Sequence, residues 1–141
     1  MTRISRKLKR TKRGGGAPDP LLQKAISFFH ARNWQAAEDS CRQVLRRNRD
    51  NHSALNLLGV VLTHKPDLAS AEQCIRRAIK LNPGDAAYYS NLGLVLKEQG
   101  KWNEAFKAFD RACKINPRDD ESYYNLGTVY QAVRQMDKAL E

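Results

Sequence analysis

The chain has 141 residues, 41% of them hydrophobic and 28% charged, with a formal net charge of +10; that is the balance of a soluble globular or repeat protein. No stretch approaches the roughly 20 apolar residues that a membrane helix needs. The cationic N-terminus is followed by Gly, Pro and charge over residues 11–20, which argues against a secretory signal peptide.

The expected compartment is therefore the cytosol, or the nucleus in a eukaryotic cell. The positive charge belongs to one end. Arg3, Arg6, Lys7, Lys9, Arg10, Lys12 and Arg13 fill residues 1–13 without one acid, so seven of the 25 basic residues lie there. The 18 that remain face 15 acidic residues, so the body of the chain is nearly neutral. Residues 1–17, with the run Gly14-Gly15-Gly16, read as a disordered basic tail that adds nothing to a core. Seven cations would hold phosphate non-specifically, but no aromatic residue is present to stack on bases. Nucleic acid is thus a secondary partner for the tail.

From Pro18 the chain is periodic. Gly59, Gly93 and Gly127 are 34 residues apart, as are Ala37, Ala71, Ala105 and Ala139. Pro83 and Pro117 keep the same spacing, as do Ala78 and Ala112. Pro18-Asp19-Pro20 opens a first helix, as Pro and Asp commonly do. Residues 18–51 form a degenerate first unit, with Leu21, Ala25, Phe28, Ala37, Cys41 and Val44 at the recurring positions. Residues 52–85 carry Leu55, Leu58, Gly59 and Leu62, then Ala71, Ile75, Ala78 and Pro83. Residues 86–119 are the clearest unit. Tyr89, Leu92, Gly93 and Leu96 lie at i, i+3, i+4 and i+7 on one helix face. Gly100 breaks that helix, Ala105, Phe109 and Ala112 mark a second, and Asn116-Pro117 ends it. Residues 120–141 repeat Tyr123, Leu126, Gly127 and Tyr130 and stop a few residues into an expected second helix, as a truncated fourth unit would. That reading makes the chain a fragment of a longer repeat protein, with stacking faces that favour self-association.

These residues resemble the tetratricopeptide repeat, with its aromatic-x-x-Leu-Gly-x-x-Tyr, Ala-x-x-x-Phe, then Ala and Pro. The resemblance covers residues 18–141 and implies an all-α, right-handed solenoid of helix–turn–helix hairpins. Stacked neighbours bury what one hairpin cannot. The recurring Gly lets two helices approach, and its cost of about 1 kcal/mol within a helix must be offset by packing. Trp34, Leu68, Trp102 and Met136 share one register and read as packing residues. Cys41, Cys74 and Cys113 have neither disulfide nor zinc spacing and read as small buried hydrophobes.

No phosphate loop, nucleophile elbow or zinc-protease motif occurs, and His30 and His64 lack further ligands. The expectation is a chain with no catalytic set, no cofactor and no metal. The resemblance places ligands in a concave groove lined by the first helices. Gln23, Ile26 and His30 point there from the first unit, and Asn56, Val60, Thr63 and His64 from the second. Ser90, Asn91, Leu94 and Lys97 follow, then Tyr124, Asn125, Thr128 and Gln131. Asn56, Thr63, Asn91, Lys97, Asn125, Thr128 and Gln131 are the candidate peptide-binding residues. Asn91 and Asn125 share one register, and an amide that both donates and accepts suits the backbone of an extended peptide. The pair is similar to the asparagine ladder in the repeats of O-linked N-acetylglucosamine transferases. Leu57 and Gln23 interrupt the ladder in the earlier units. Some repeats of this family instead clamp a C-terminal carboxylate with cations. The matching positions here hold Asp19, Leu22, Ser53, Leu57, Glu121 and Asn125, so that mode is rejected. The expected role is a scaffold for a protein or peptide. An alternative is the substrate-recruiting region of a larger transferase acting on sugar or sulfate groups.

Overall fold

The computed structural model describes residues 19–141; the basic tail, with Pro18, lies outside them. All described elements are helices: α1 (Pro20–His30), α2 (Trp34–Arg47), α3 (His52–Leu62), α4 (Leu68–Leu81), α5 (Ala86–Glu98), α6 (Trp102–Ile115) and α7 (Asp120–Ala139). The all-α class is as expected. The chain divides into two compact units that meet at Pro83 and Gly84.

The first unit holds two hairpins, α1 with α2 and α3 with α4, and α2 also packs on α3. Its helix starts follow from the residues at hand. Asp19, Asn33, Asn51 and Asp67 each accept a backbone N–H from the first turn of the helix they precede; such a cap contributes about 1 kcal/mol. The turn between α1 and α2 requires Arg32 at φ 58°, a conformation uncommon for a side-chain-bearing residue. Ala25, Phe29, Ala37, Cys41, Val44, Ala71, Ile75 and Ala78 are closed to solvent, and so is α3 from Ala54 to Leu62. Gly59 explains how α4 comes so near. A Cβ there would stand 2.5 Å from Ile75 Cγ1.

The second unit holds the hairpin α5–α6 and then α7, which packs on α6. Gly100, at φ 75°, turns α5 into α6. A Cβ on Gly93 would stand 2.7 Å from the ring of Phe109. Tyr88, Leu92, Val95, Leu96, Ala105, Phe109, Ala112 and Val129 form the core.

One expectation fails here. The fourth unit was expected to end a few residues into a second helix; instead α7 is continuous to Ala139. Trp34, Leu68 and Trp102 each open the second helix of a hairpin, whereas their counterpart Met136 lies inside α7, 51% exposed. The residues give the reason. Where Gly100 turns the third unit, the fourth has Arg134. Where Asn33 and Asp67 cap, it has Gln135. Arg, Gln, Met, Lys and Ala all favour helix, so nothing local stops α7.

Candidate functional site

The candidate residues fall in both units. In the first, Asn56 is 2% exposed, inside the buried length of α3. Thr63 is half-buried and donates its hydroxyl to the Val60 carbonyl at 2.7 Å, finishing its own helix. Val60 is also buried, while Gln23 and His30 are exposed on α1.

In the second unit, Asn91 and Asn125 are 2% and 4% exposed. Asn125 Nδ2 donates to the Glu121 carbonyl at 3.0 Å, and its Oδ1 faces Lys97 Nζ at 3.4 Å. Both ends of this amide are therefore engaged within the unit. Lys97 is half-buried, whereas Thr128 and Gln131 are exposed. Thr128 donates to the Tyr124 carbonyl at 3.0 Å. A buried hydroxyl chain ties α5 to α7 beside them. Ser122 gives its one proton to Asp119 Oδ2 at 2.6 Å, so Ser90, at 2.6 Å from Ser122, must be the donor to it. The structure thus joins Lys97 to Asn125 and leaves Thr128 and Gln131 at the surface.

Sequence reading missed a second cluster, in the first unit. His64 was assigned to the groove face, but its ring stacks on Trp34, with centroids 3.8 Å apart and planes 5° from parallel. Phe29 meets Trp34 edge-on at 5.4 Å. Near them Glu38, 8% exposed, takes Arg42 at 2.9 Å and also the ammonium of Lys65. The aromatic at position 34 was visible; the pairing of the start of α2 with the turn after α3, 30 residues on, was not.

The two charges respond differently to acid. Burial first, then the nearby Arg32 guanidinium, lower the His64 pKa below its ordinary 6.5. Folding therefore favours the neutral imidazole. Its contribution is full above pH 6.5 and is lost as pH falls through 6.5 toward the lowered value. The bond from Lys65 is the main cause that holds Glu38 below its ordinary 4.5. That contribution is present above pH 4.5 and is lost as pH falls through the lowered value. The first unit should therefore weaken in two acid steps. Urea midpoints between pH 8 and pH 3 will show both, and His64→Phe will remove the step that begins near pH 6.5.

Chemistry at the thiols is discouraged. Cys41 and Cys113 are buried and Cys74 half-buried; burial pushes Cys41 up to about 12 and raises Cys74. Among the described residues, no group of His, Cys, Asp and Glu could hold a metal ion, and no helix is long and apolar enough to cross a membrane.

No curated protein sequence matches the chain. Solved structures do. The Sgt2 TPR domain of Aspergillus fumigatus is similar with a TM-score of 0.81 and 18% identity, over 89% of this chain and 87% of that one. The first TPR of Spaghetti (RPAP3), solved bound to the HSP90 peptide SRMEEVD, gives 0.78 and 22% over 81% and 90%. An O-GlcNAc transferase of Thermobaculum terrenum gives 0.76 and 28%, over 92% of this chain but only 23% of the transferase. Models of the tetratricopeptide repeat match residues 22–86 and 74–107, and a TPR repeat model matches 95–133. These matches run without a gap through the hairpins that the 34-residue period builds around Gly59 and Gly93, and the chain belongs to the tetratricopeptide repeat family.

Proposed function

We propose that the chain is a non-catalytic scaffold that holds an extended peptide segment of another protein against α5 and α7, with Lys97, Asn125, Thr128 and Gln131 as its polar contacts. The Lys97–Asn125 contact carries this reading. At 3.4 Å it is long for a hydrogen bond, and it joins a half-open cation to an amide. An incoming carbonyl or carboxylate can take the ammonium and free Asn125 Oδ1 for a peptide N–H. Thr128 and Gln131 lie one and nearly two turns further along α7, within reach of the same segment. The repeat neighbour that was solved with a bound peptide supports the class of ligand, and nothing in the comparisons supports nucleic acid.

A display library of unstructured peptides, panned on the 141-residue chain, tests the proposal. Selected binders should weaken about tenfold on Lys97→Ala, the loss of one charge-assisted contact of ~1.4 kcal/mol. They should weaken by less on Gln131→Ala, and stay unchanged on Arg46→Ala, which lies on α2 in the other unit. Binders indifferent to Lys97, Thr128 and Gln131 alike would sink it.

A second reading is favoured by the 28% identity with the transferase over 92% of this chain: the repeats recruit substrate for a catalytic domain elsewhere in one polypeptide. The gene downstream of the Glu141 codon decides. A catalytic domain in frame supports this reading, and an immediate stop codon ends it.

A further inference from the structure

We propose that the outer face of α7 is the contact of a symmetric dimer, in which α7 of a second copy crosses antiparallel over Gly127 and pairs its Arg134 with Asp120. This goes beyond the peptide-binding reading; the face it uses borders that site at Tyr124 and Gln131 and leaves Lys97, Asn125 and Thr128 clear.

The complete hairpins show what this register takes. In α3, Gly59 lies under Ile75 of α4, and in α5, Gly93 lies under the Phe109 ring of α6. In both, a short turn makes the covering helix antiparallel. Gly127 holds the same place in α7, yet among the described residues a Cβ there would meet nothing within 4 Å. The opposite face of α7 is already committed, since Ser122, Asn125 and Val129 are buried. What remains is a stripe at alternating spacings of three and four: Asp120, Tyr123, Gly127, Tyr130 and Arg134, of which Tyr130 also leans on the Phe106 ring of α6, with centroids 6.3 Å apart. That spacing keeps one side of a helix facing a partner helix. Tyr123 is 47% exposed, Tyr130 53% and the neighbouring Tyr124 65%.

Charge selects the occupant and its direction. Asp120 and Glu121 lie in the first turn of α7, and Arg134 and Lys138 near its end. A two-fold axis through Gly127 brings residue 127−k of one copy opposite 127+k of the other. Asp120 then meets Arg134 twice, and Tyr124 meets Tyr130 twice. A parallel pair would set acid against acid and base against base. Glycine at the crossing permits close approach, and the tyrosines fill the space beside it. An interface of one helix pair is small, so the dimer is of the transient kind.

Sedimentation equilibrium over a concentration series tests this. The mass should rise from 16.1 kDa toward twice that value. Asp120→Arg and Arg134→Asp, both at exposed positions, should each keep the helical circular dichroism of the parent and remain monomeric. An equimolar mixture of the two should recover the dimer, because each unlike pair restores both contacts, and the D120R/R134D double variant should dimerise alone. A wild-type chain that stays monomeric throughout would overturn the proposal. So would single variants that associate as strongly as wild type, since association would then use another surface.

Discussion

Phe109→Ala will cost the second unit about 3–5 kcal/mol, the range for removing a fully buried aromatic ring. Phe109 is 0% exposed, and its ring is the surface against which Gly93 rests, with carbons 2.7–2.8 Å from a Cβ built there. Small domains are stable by only about 5–15 kcal/mol in total, so this one change will consume much of the margin. Urea unfolding followed by Trp102 emission in a Trp34→Phe background reads that unit alone. The same experiment contains a sharper comparison. Gly93→Ala in the parent should destabilise, because the ring has no room to move. In the Phe109→Ala background the ring is gone, and the higher helix propensity of Ala, worth up to about 1 kcal/mol, should make the same substitution neutral or stabilising. Such coupling is expected of residues in direct contact. An equal cost for Gly93→Ala in both backgrounds would refute the ring-on-glycine account.

The period of 34 made most of the fold readable, because each hairpin repeats a local solution. The Gly that admits a helix, the Ala it meets and the Asn-Pro that ends the pair are all short-range signals. Caps at Asn33, Asn51 and Asp67 are equally local. Reading failed where a repeat position kept its number and lost its chemistry. Arg134 and Gln135 stand at a turn register but favour helix, so periodicity predicted a turn that the residues do not make. The first unit shows the reverse. Arg32 carries none of the freedom of Gly100, yet it takes φ 58°, since α2 has α1 and α3 to pack against and that burial outweighs the local strain.

The candidate site was legible by face and not by exposure. Counting along a helix places Asn91 and Asn125 on the side that should face a ligand. It does not say that Lys97 reaches Asn125, or that both asparagines are nearly closed to solvent. Those facts depend on how near α7 lies to α5, which the Ser90–Ser122–Asp119 chain fixes from residues up to 32 apart. The Trp34–His64 stack was hidden for the same reason. The start of one helix and a turn of the next repeat meet there, and no repeat signature records such a meeting.

Gly59→Ala and Gly127→Ala should move stability in opposite directions although the two glycines share one register. At Gly59 the new methyl would stand 2.5 Å from Ile75 Cγ1 and 3.0 Å from the Ala71 carbonyl oxygen. Ile75 and Ala71 are both 0% exposed, so neither side chain nor backbone can withdraw freely. Overpacking of this kind costs about 1–3 kcal/mol, against a helix-propensity gain of up to about 1 kcal/mol, and the net is a loss of roughly 1–2 kcal/mol. At Gly127 the methyl meets nothing within 4 Å, so only the gain remains, and α7 should be stabilised by about 0.5–1 kcal/mol. Thermal melts at micromolar concentration, dilute enough for any dimer to dissociate, compare the two directly. Destabilisation at Gly127 of the size found at Gly59 would mean that a helix already covers α7 in the dilute monomer. The face assigned to the second copy would then be occupied from within the chain.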